Sequence, residues 1–262
     1  MNRSVRSLAL GAVSLGAVAG LFGGPGRLPG VQAKARNDAG RVGTAAVPAK
    51  KLRIPLGKAE GDMIEPAAKG WEAVSSTRVL LNRTPRVYQT EKAKPAQPVT
   101  LDVRGVRTGK GVTFRLSWKD STRNAPKAPP KREGEGGDAA KLYKRPTGET
   151  AAFADAAAVM VPQSPPAGEF PSLVMGDQHG PVRLYYWNAS RGAETLTASG
   201  RARVERTVTS FRTRARYEGG HWTVTLEVPE LGTPSPVAFA VWDGEVADRN
   251  GMKLFSIWYV LE

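Results

Sequence analysis

The residue in this sequence best placed for unusual chemistry is a lysine. Lys253 stands between the turn signal Asn250-Gly251 and the apolar run Leu254-Phe-Ser-Ile-Trp-Tyr-Val-Leu261, a position that carries its amine to the mouth of a partly buried space. Burial disfavours the ammonium form, and the neutral amine that results has a lone pair to offer a metal. The competing reading is a side chain that snorkels its charged head into water. Other metal-binding side chains are few. The chain contains no cysteine, which excludes disulfides, cysteine-ligated iron–sulfur clusters and covalent Cys-x-x-Cys-His heme attachment. His179 and His221 are the whole histidine complement, too few for a histidine-rich zinc or copper site. Metal chemistry here must draw on methionine, lysine or those two histidines. Acid pairs such as Asp243 and Glu245 read as turn and solubility residues, and no nucleophile elbow, P-loop, dinucleotide fingerprint or metalloprotease motif is present.

The elements that must position these groups are strands. Val112-Thr-Phe-Arg-Leu-Ser-Trp118 puts Val112, Phe114, Leu116 and Trp118 on one face, with Thr113, Arg115 and Ser117 on the other. Thr77 to Leu81, Val99 to Val103, Phe153 to Val161, Val182 to Trp187 and Val237 to Trp242 are further strands. Leu254 to Leu261 closes the chain as the partner of Val237 to Trp242 in a hairpin-like end. The clearest hairpin has arms Thr207 to Glu218 and His221 to Val228 about Gly219-Gly220. No helical pattern of comparable strength competes, so the expected fold is all-β, an antiparallel β-sandwich with long loops.

Arg3 and Arg6 followed by the uncharged stretch Leu8 to Phe22 have the form of a secretory signal, with Val31-Gln-Ala33 as the cleavage site. The apolar core falls short of the about 20 residues that span a bilayer, so no stable membrane span is expected. Residues 34–60 read as a flexible lead-in, 61–262 as the folded domain, and 121–150, rich in Pro, Lys, Gly and Glu, as a mobile insertion within it. Removing residues 1–33 takes away three arginines and no acid, which lowers the formal net charge from +14 to +11. An exported protein does not meet nucleic acid, so this excess suits an acidic protein surface or anionic groups such as heme propionates. Arg212, Arg214 and Arg216 alternate onto one side of their strand, as a solvated face or, alternatively, an electrostatic docking surface.

A succession of short segments is more specific than any one of them: Gly70-Trp71-Glu-Ala, Phe114-Arg-Leu-Ser-Trp118-Lys-Asp120, Asp155-Ala-Ala-Ala-Val159 with Pro162, Leu173-Val-Met-Gly-Asp177, Pro181 to Trp187, Gly220 to Val228 and Val237 to Tyr259. Over residues 60–262 this order resembles the heme-b-binding gamma subunits of periplasmic molybdoenzymes of the dimethyl sulfoxide reductase family, the group of ethylbenzene dehydrogenase, dimethyl sulfide dehydrogenase, selenate reductase and chlorate reductase. The resemblance implies a β-sandwich that holds one non-covalent heme b between a methionine and a lysine, here Met175 and Lys253 as iron ligands. It implies a periplasmic electron-transfer subunit, non-catalytic by itself, working between an iron–sulfur subunit and an external partner such as a soluble c-type cytochrome, in a complex with a molybdopterin subunit. A thioether favours ferrous iron, and two protein ligands leave no open position, which suits electron transfer. Met160 and Met252 are the rival thioethers and His179 a rival ligand. The insertion at 121–150 departs from the family pattern. The alternative from another class is an extracytoplasmic carbohydrate-binding β-sandwich module, for which Trp187, Trp242 and Trp258 would share an exposed flat face.

Overall fold

A computed structural model describes residues 52–58, 61–84, 99–127, 153–166, 169–201, 203–207, 210–248 and 251–262. The expected signal (1–33), most of the lead-in and residues 128–150 of the expected insertion lie outside these ranges. The described chain is all-β and almost wholly antiparallel, a single curled sheet folded into two facing layers.

The first layer runs in the order β10 (Thr213–Glu218), β11 (His221–Pro229), β5 (Gly111–Lys119), β4 (Val99–Thr108) and β3 (Thr77–Arg83). The second continues through β13 (Leu254–Phe255), β12 (Pro236–Trp242), β6 (Ala156–Pro162), β7 (Val182–Asn188), β8 (Gly192–Ala198) and β9 (Val204–Thr207). Pairing of Leu254 with Arg83 joins the two. Two parallel contacts close one end. β1 (Arg53–Ile54) lies beside β14 (Tyr259–Leu261), and β2 (Leu56–Lys58) lies beside β4. The last residues of the expected lead-in are therefore part of the domain, and Ile54 is fully buried.

Alternation produces the core. Val112, Phe114, Leu116 and Trp118 of β5 all face inward, as their spacing predicts, and pack with Val224, Leu226, Val159, Tyr185, Trp187 and Phe239. Aromatic contacts bridge the layers: Phe114 meets Phe239 with centroids 5.7 Å apart, and Trp222 meets Trp187 at 4.9 Å.

Two expected strands differ in extent. The first arm of the hairpin is β10 alone, because Thr207 belongs to β9 and pairs with Thr195 across to β8. The C-terminal strand is interrupted at Ser256. There Ser256 Oγ accepts the Phe239 N–H at 2.9 Å, and the chain exchanges the partner β3 for the partner β1. No helix among the described residues is long and apolar enough to cross a membrane.

Candidate functional site

The outer face of the second layer is apolar too. A sheet usually turns one face to water, yet here a second cluster of buried side chains forms on the far side of β6, β7 and β12 from the core. Its floor is made of small residues. Ala156 and Ala158 of β6 and Ala238 and Ala240 of β12 alternate onto this face, with Ala240 beside Ala158 and Trp242 beside Ala156 in register. Met160, Val182, Leu184, Leu196 and Ala198 extend it. The alanines on neighbouring strands keep the middle of this buried face low, between the larger side chains of Met160, Leu184 and Trp242.

Two segments border the floor. One is the loop 169–181, which brings Met175 into the cluster. Asp177 organises that loop. Its Oδ1 accepts the His179 and Gly180 N–H groups at 2.9 and 2.8 Å, its Oδ2 accepts the Ser172 N–H at 3.1 Å, and these bonds hold its carboxyl below the usual range. Gly176 follows in the left-handed region, where a Cβ would meet the Gly180 carbonyl oxygen at 2.7 Å. Met175 itself has φ +71°, a conformation costly for a side-chain-bearing residue and far easier for glycine. It is 5% exposed.

The other segment is 251–258, which carries Lys253. Thr84 fixes its backbone from both sides: the Lys253 N–H donates to Thr84 Oγ1 at 3.0 Å, and the Lys253 carbonyl accepts the Thr84 N–H at 2.9 Å and its hydroxyl at 3.1 Å. Asp248 shapes the approach. It accepts from Arg83 at 2.5 Å and from the Asp243 N–H at 3.3 Å, and burial outweighs the guanidinium to hold its carboxyl up at about 6.

The Lys253 side chain does not snorkel. It is 2% exposed, its amine lies 5.2 Å from the centre of the Trp242 ring, and no acidic group pairs with it among the described residues. Desolvation, helped by the like charge of Arg201, lowers its pKa to about 7. The Gly200 N–H beside it donates to the Met175 carbonyl at 2.8 Å, which ties the turn that carries Arg201 to the Met175 loop. Met175 and Lys253 thus border one apolar cluster, the first as a member and the second through Trp242 and the 200–201 turn.

The rivals stand differently: Met160 shares the cluster with Met175, and the other two do not. Met160 is part of the floor, paired in register with Ala238 and Leu184. Met252 is buried outside both large clusters. His179 is exposed. Nor do the three tryptophans share an exposed face: Trp187 is in the inner core, Trp242 is buried on the outer face, and half-buried Trp258 donates its Nε1–H to the Pro171 carbonyl at 2.9 Å. Thr84, Arg201 and the alanine floor escape sequence reasoning; only the run Asp155-Ala-Ala-Ala-Val159 hinted at the last. A thioether and a partly neutral amine bordering one apolar cluster are donor types that suit a metallo-tetrapyrrole better than a hydrated ion.

The chain belongs to the ethylbenzene dehydrogenase family, whose model matches residues 68–209. It is 29% identical to a putative respiratory nitrate reductase heme subunit of Haloferax mediterranei, over 83% of this chain and 76% of that protein. It is 28% identical to the chlorate reductase gamma subunit of Ideonella dechloratans, over 87% and 92%, and 25% identical to the dimethylsulfide dehydrogenase gamma subunit of Rhodovulum sulfidophilum, over 72% and 71%.

Proposed function

We propose that this protein is the heme-carrying electron-transfer subunit of an exported molybdenum oxidoreductase complex, with Met175 and Lys253 as the axial ligands of one non-covalent heme b. The observation that carries the reading is Lys253, an amine buried with no acidic partner among the described residues, at the edge of an apolar floor that Met175 also borders. Ordinary proteins do not bury a lysine unpaired, because desolvating the ammonium is costly. A metal ligand needs the neutral form, and burial supplies it. The names of the relatives support the class: one is called a heme subunit, and two are gamma subunits of oxidoreductases. Bound heme would supply the one-electron chemistry. The chain's own residues would bind it on the alanine floor, keep water from it, and present a thioether and an unprotonated amine. We further propose that residues 1–33 are an export signal, and that an iron–sulfur subunit and an external acceptor or donor such as a c-type cytochrome flank this subunit in the electron path.

Hemin titration of the purified full chain tests the site. The expected result is a saturable 1:1 complex with a six-coordinate low-spin spectrum. Lys253→Ala should give a high-spin species or no complex, and Lys253→Arg should not rescue it, because a guanidinium stays protonated. A folded wild-type chain that takes up no hemin would end the proposal.

A further inference from the structure

Exposed apolar side chains are not scattered over this molecule. Among the described residues the large hydrophobic side chains left open to solvent are Leu52, Leu80, Phe170 and Ile257, which are 40%, 53%, 44% and 47% exposed. All four adjoin one short stretch, 257–260. Ile257 begins it. Phe170 meets the Trp258 ring with centroids 5.9 Å apart, the Tyr259 hydroxyl lies beside the Leu80 backbone, and the Val260 N–H donates to the Leu52 carbonyl at 2.9 Å. Single hydrophobic residues on a surface need no explanation, whereas a contiguous group marks a contact site.

The fold accounts for the grouping. Phe255 pairs with Asn82 across the seam between the layers, and Ile257 and Leu80 each stand two residues beyond that pair. Val79 and Leu81 face the core, so Leu80 faces out. The patch also runs into the outer apolar cluster. Trp258 packs against that cluster, of which Met175 is a member, and its bond to the Pro171 carbonyl fixes its ring next to Phe170. One aromatic ring therefore separates the exposed surface from the cluster on which the proposed cofactor would lie.

Charge narrows what covers the patch. On its β3 side Arg78, two residues from Leu80, and Lys119, which ends β5, turn to the same outer face. Both are exposed, and neither forms an ion pair with a described residue. Asp102 stands opposite Arg78 in register but accepts the Ser76 hydroxyl at 3.3 Å instead. Elsewhere on the margin Arg53 and Glu262 pair with each other, and Glu169 is exposed beside Phe170. A second copy of this chain, with a formal charge of +14, would bring like charge to the contact. A lipid surface fits no better, because Leu80 stands within a strand and cannot enter lipid without carrying sheet backbone with it.

We propose that Leu52, Leu80, Phe170 and Ile257 form the docking surface for a protein partner that exchanges electrons with this chain, apolar where it covers the patch and acidic where it faces Arg78 and Lys119. The electron exchange rests on the heme function proposed above; the surface rests on the side chains themselves.

The test places a photoreactive amino acid singly at Leu80, Phe170 and Ile257, and at Arg214 on the far edge of the first layer as control, in cells that naturally make the full chain. The expected result is that the three patch positions cross-link to one other polypeptide, an acidic protein with its own redox centre, and that Arg214 does not. With that polypeptide purified, Leu80→Glu and Ile257→Glu should each weaken its binding at least roughly tenfold, since each puts an unpaired charge into an apolar contact. Arg78→Glu should weaken it in a way that fades as salt is raised. Cross-links to a second copy, patch cross-links no stronger than those at Arg214, or unchanged binding in both Glu variants would overturn the proposal. So would wild-type chain that cosediments with vesicles of equal parts phosphatidylcholine and phosphatidylglycerol when Leu80→Glu does not. Hemin titration of the same proteins keeps the two readings apart. A chain that takes up no hemin but binds its partner through the patch defeats the heme function alone, and a hemin-loaded chain with no partner at the patch defeats the surface alone.

Discussion

Lys253 and Met175 each hold a conformation or environment that a merely structural residue would avoid. For the lysine the consequence is a pH dependence with a definite sign. Its folded pKa of about 7 lies below the ordinary 10.5, so between these values the unfolded chain binds a proton that the folded chain does not, and stability rises with pH across that window. Below about pH 7 the full cost of the buried charge is present. In heme-free protein, Lys253→Met should therefore raise the urea midpoint at pH 6, and its advantage should shrink steadily as the pH approaches 10. An advantage independent of pH would mean that the amine reaches water. For the methionine, Met175→Leu separates packing from ligation, since it keeps apolar volume at a cost below about 1.5 kcal/mol. The heme-free fold should survive, while the low-spin spectrum of the hemin complex should be lost. An unaltered spectrum would make Met175 a gap-filler and return attention to Met160. The exceptional position of Lys253 was legible in sequence because a turn signal and an apolar strand flank it. The strain at Met175 was not, because nothing in Leu173-Val-Met-Gly-Asp177 reveals that two successive residues take positive φ.

At the scale of elements, the site depends on how short segments are fastened. Thr84 lies 169 residues from Lys253 in sequence and fixes it with three hydrogen bonds. No local pattern could report a partner so distant. The same limit explains β8 and β9, whose polar-rich strands show no apolar alternation and are identified only by pairing, β8 to β7 and β9 to β8. By contrast β5, β7, β11 and β12 were plain, because alternating or continuous apolar residues follow directly from facing one buried layer or two. Thr84→Val would remove the acceptor of the buried Lys253 N–H and should cost about 1–3 kcal/mol. Heme affinity should fall with it, and denaturation and hemin titration of the same variant would show both. Asp248→Ala should be harsher. It strands the Arg83 guanidinium, whose side chain is only 11% exposed, and should destabilise the fold by about 3 kcal/mol or more in chemical denaturation.

Over the whole molecule, charge and core serve different ends. The basic run from Arg201 to Arg216 is not a bare docking stripe: Arg212 pairs with Asp62 and Glu227, Arg214 with Glu65 at 3.4 Å, Arg216 with Glu218 at 2.8 Å and Arg206 with Glu194 at 2.6 Å. Exposed pairs of this kind add little stability, but they do neutralise the strand face. The union of the layers rests on Trp222 instead. Its ring touches Trp187 of the opposite layer at 4.9 Å and Tyr217 at 5.1 Å, stacks near Trp118 at 6.4 Å, and donates to Asp155, which heads the strand bearing the alanine floor. One residue therefore couples the first layer to the element on which the proposed cofactor would lie. Trp222→Ala should cost about 3–5 kcal/mol through lost burial and cavity formation. Trp222→Phe keeps most of the aromatic packing but leaves Asp155 Oδ2 with one donor instead of two, so it should cost less while still lowering the affinity for hemin. Denaturation curves for the pair of variants, with hemin titration of Trp222→Phe, test this. A Trp222→Phe chain that is less stable but binds hemin as wild type does would confine Trp222 to packing and sever the link from the inner core to the outer face.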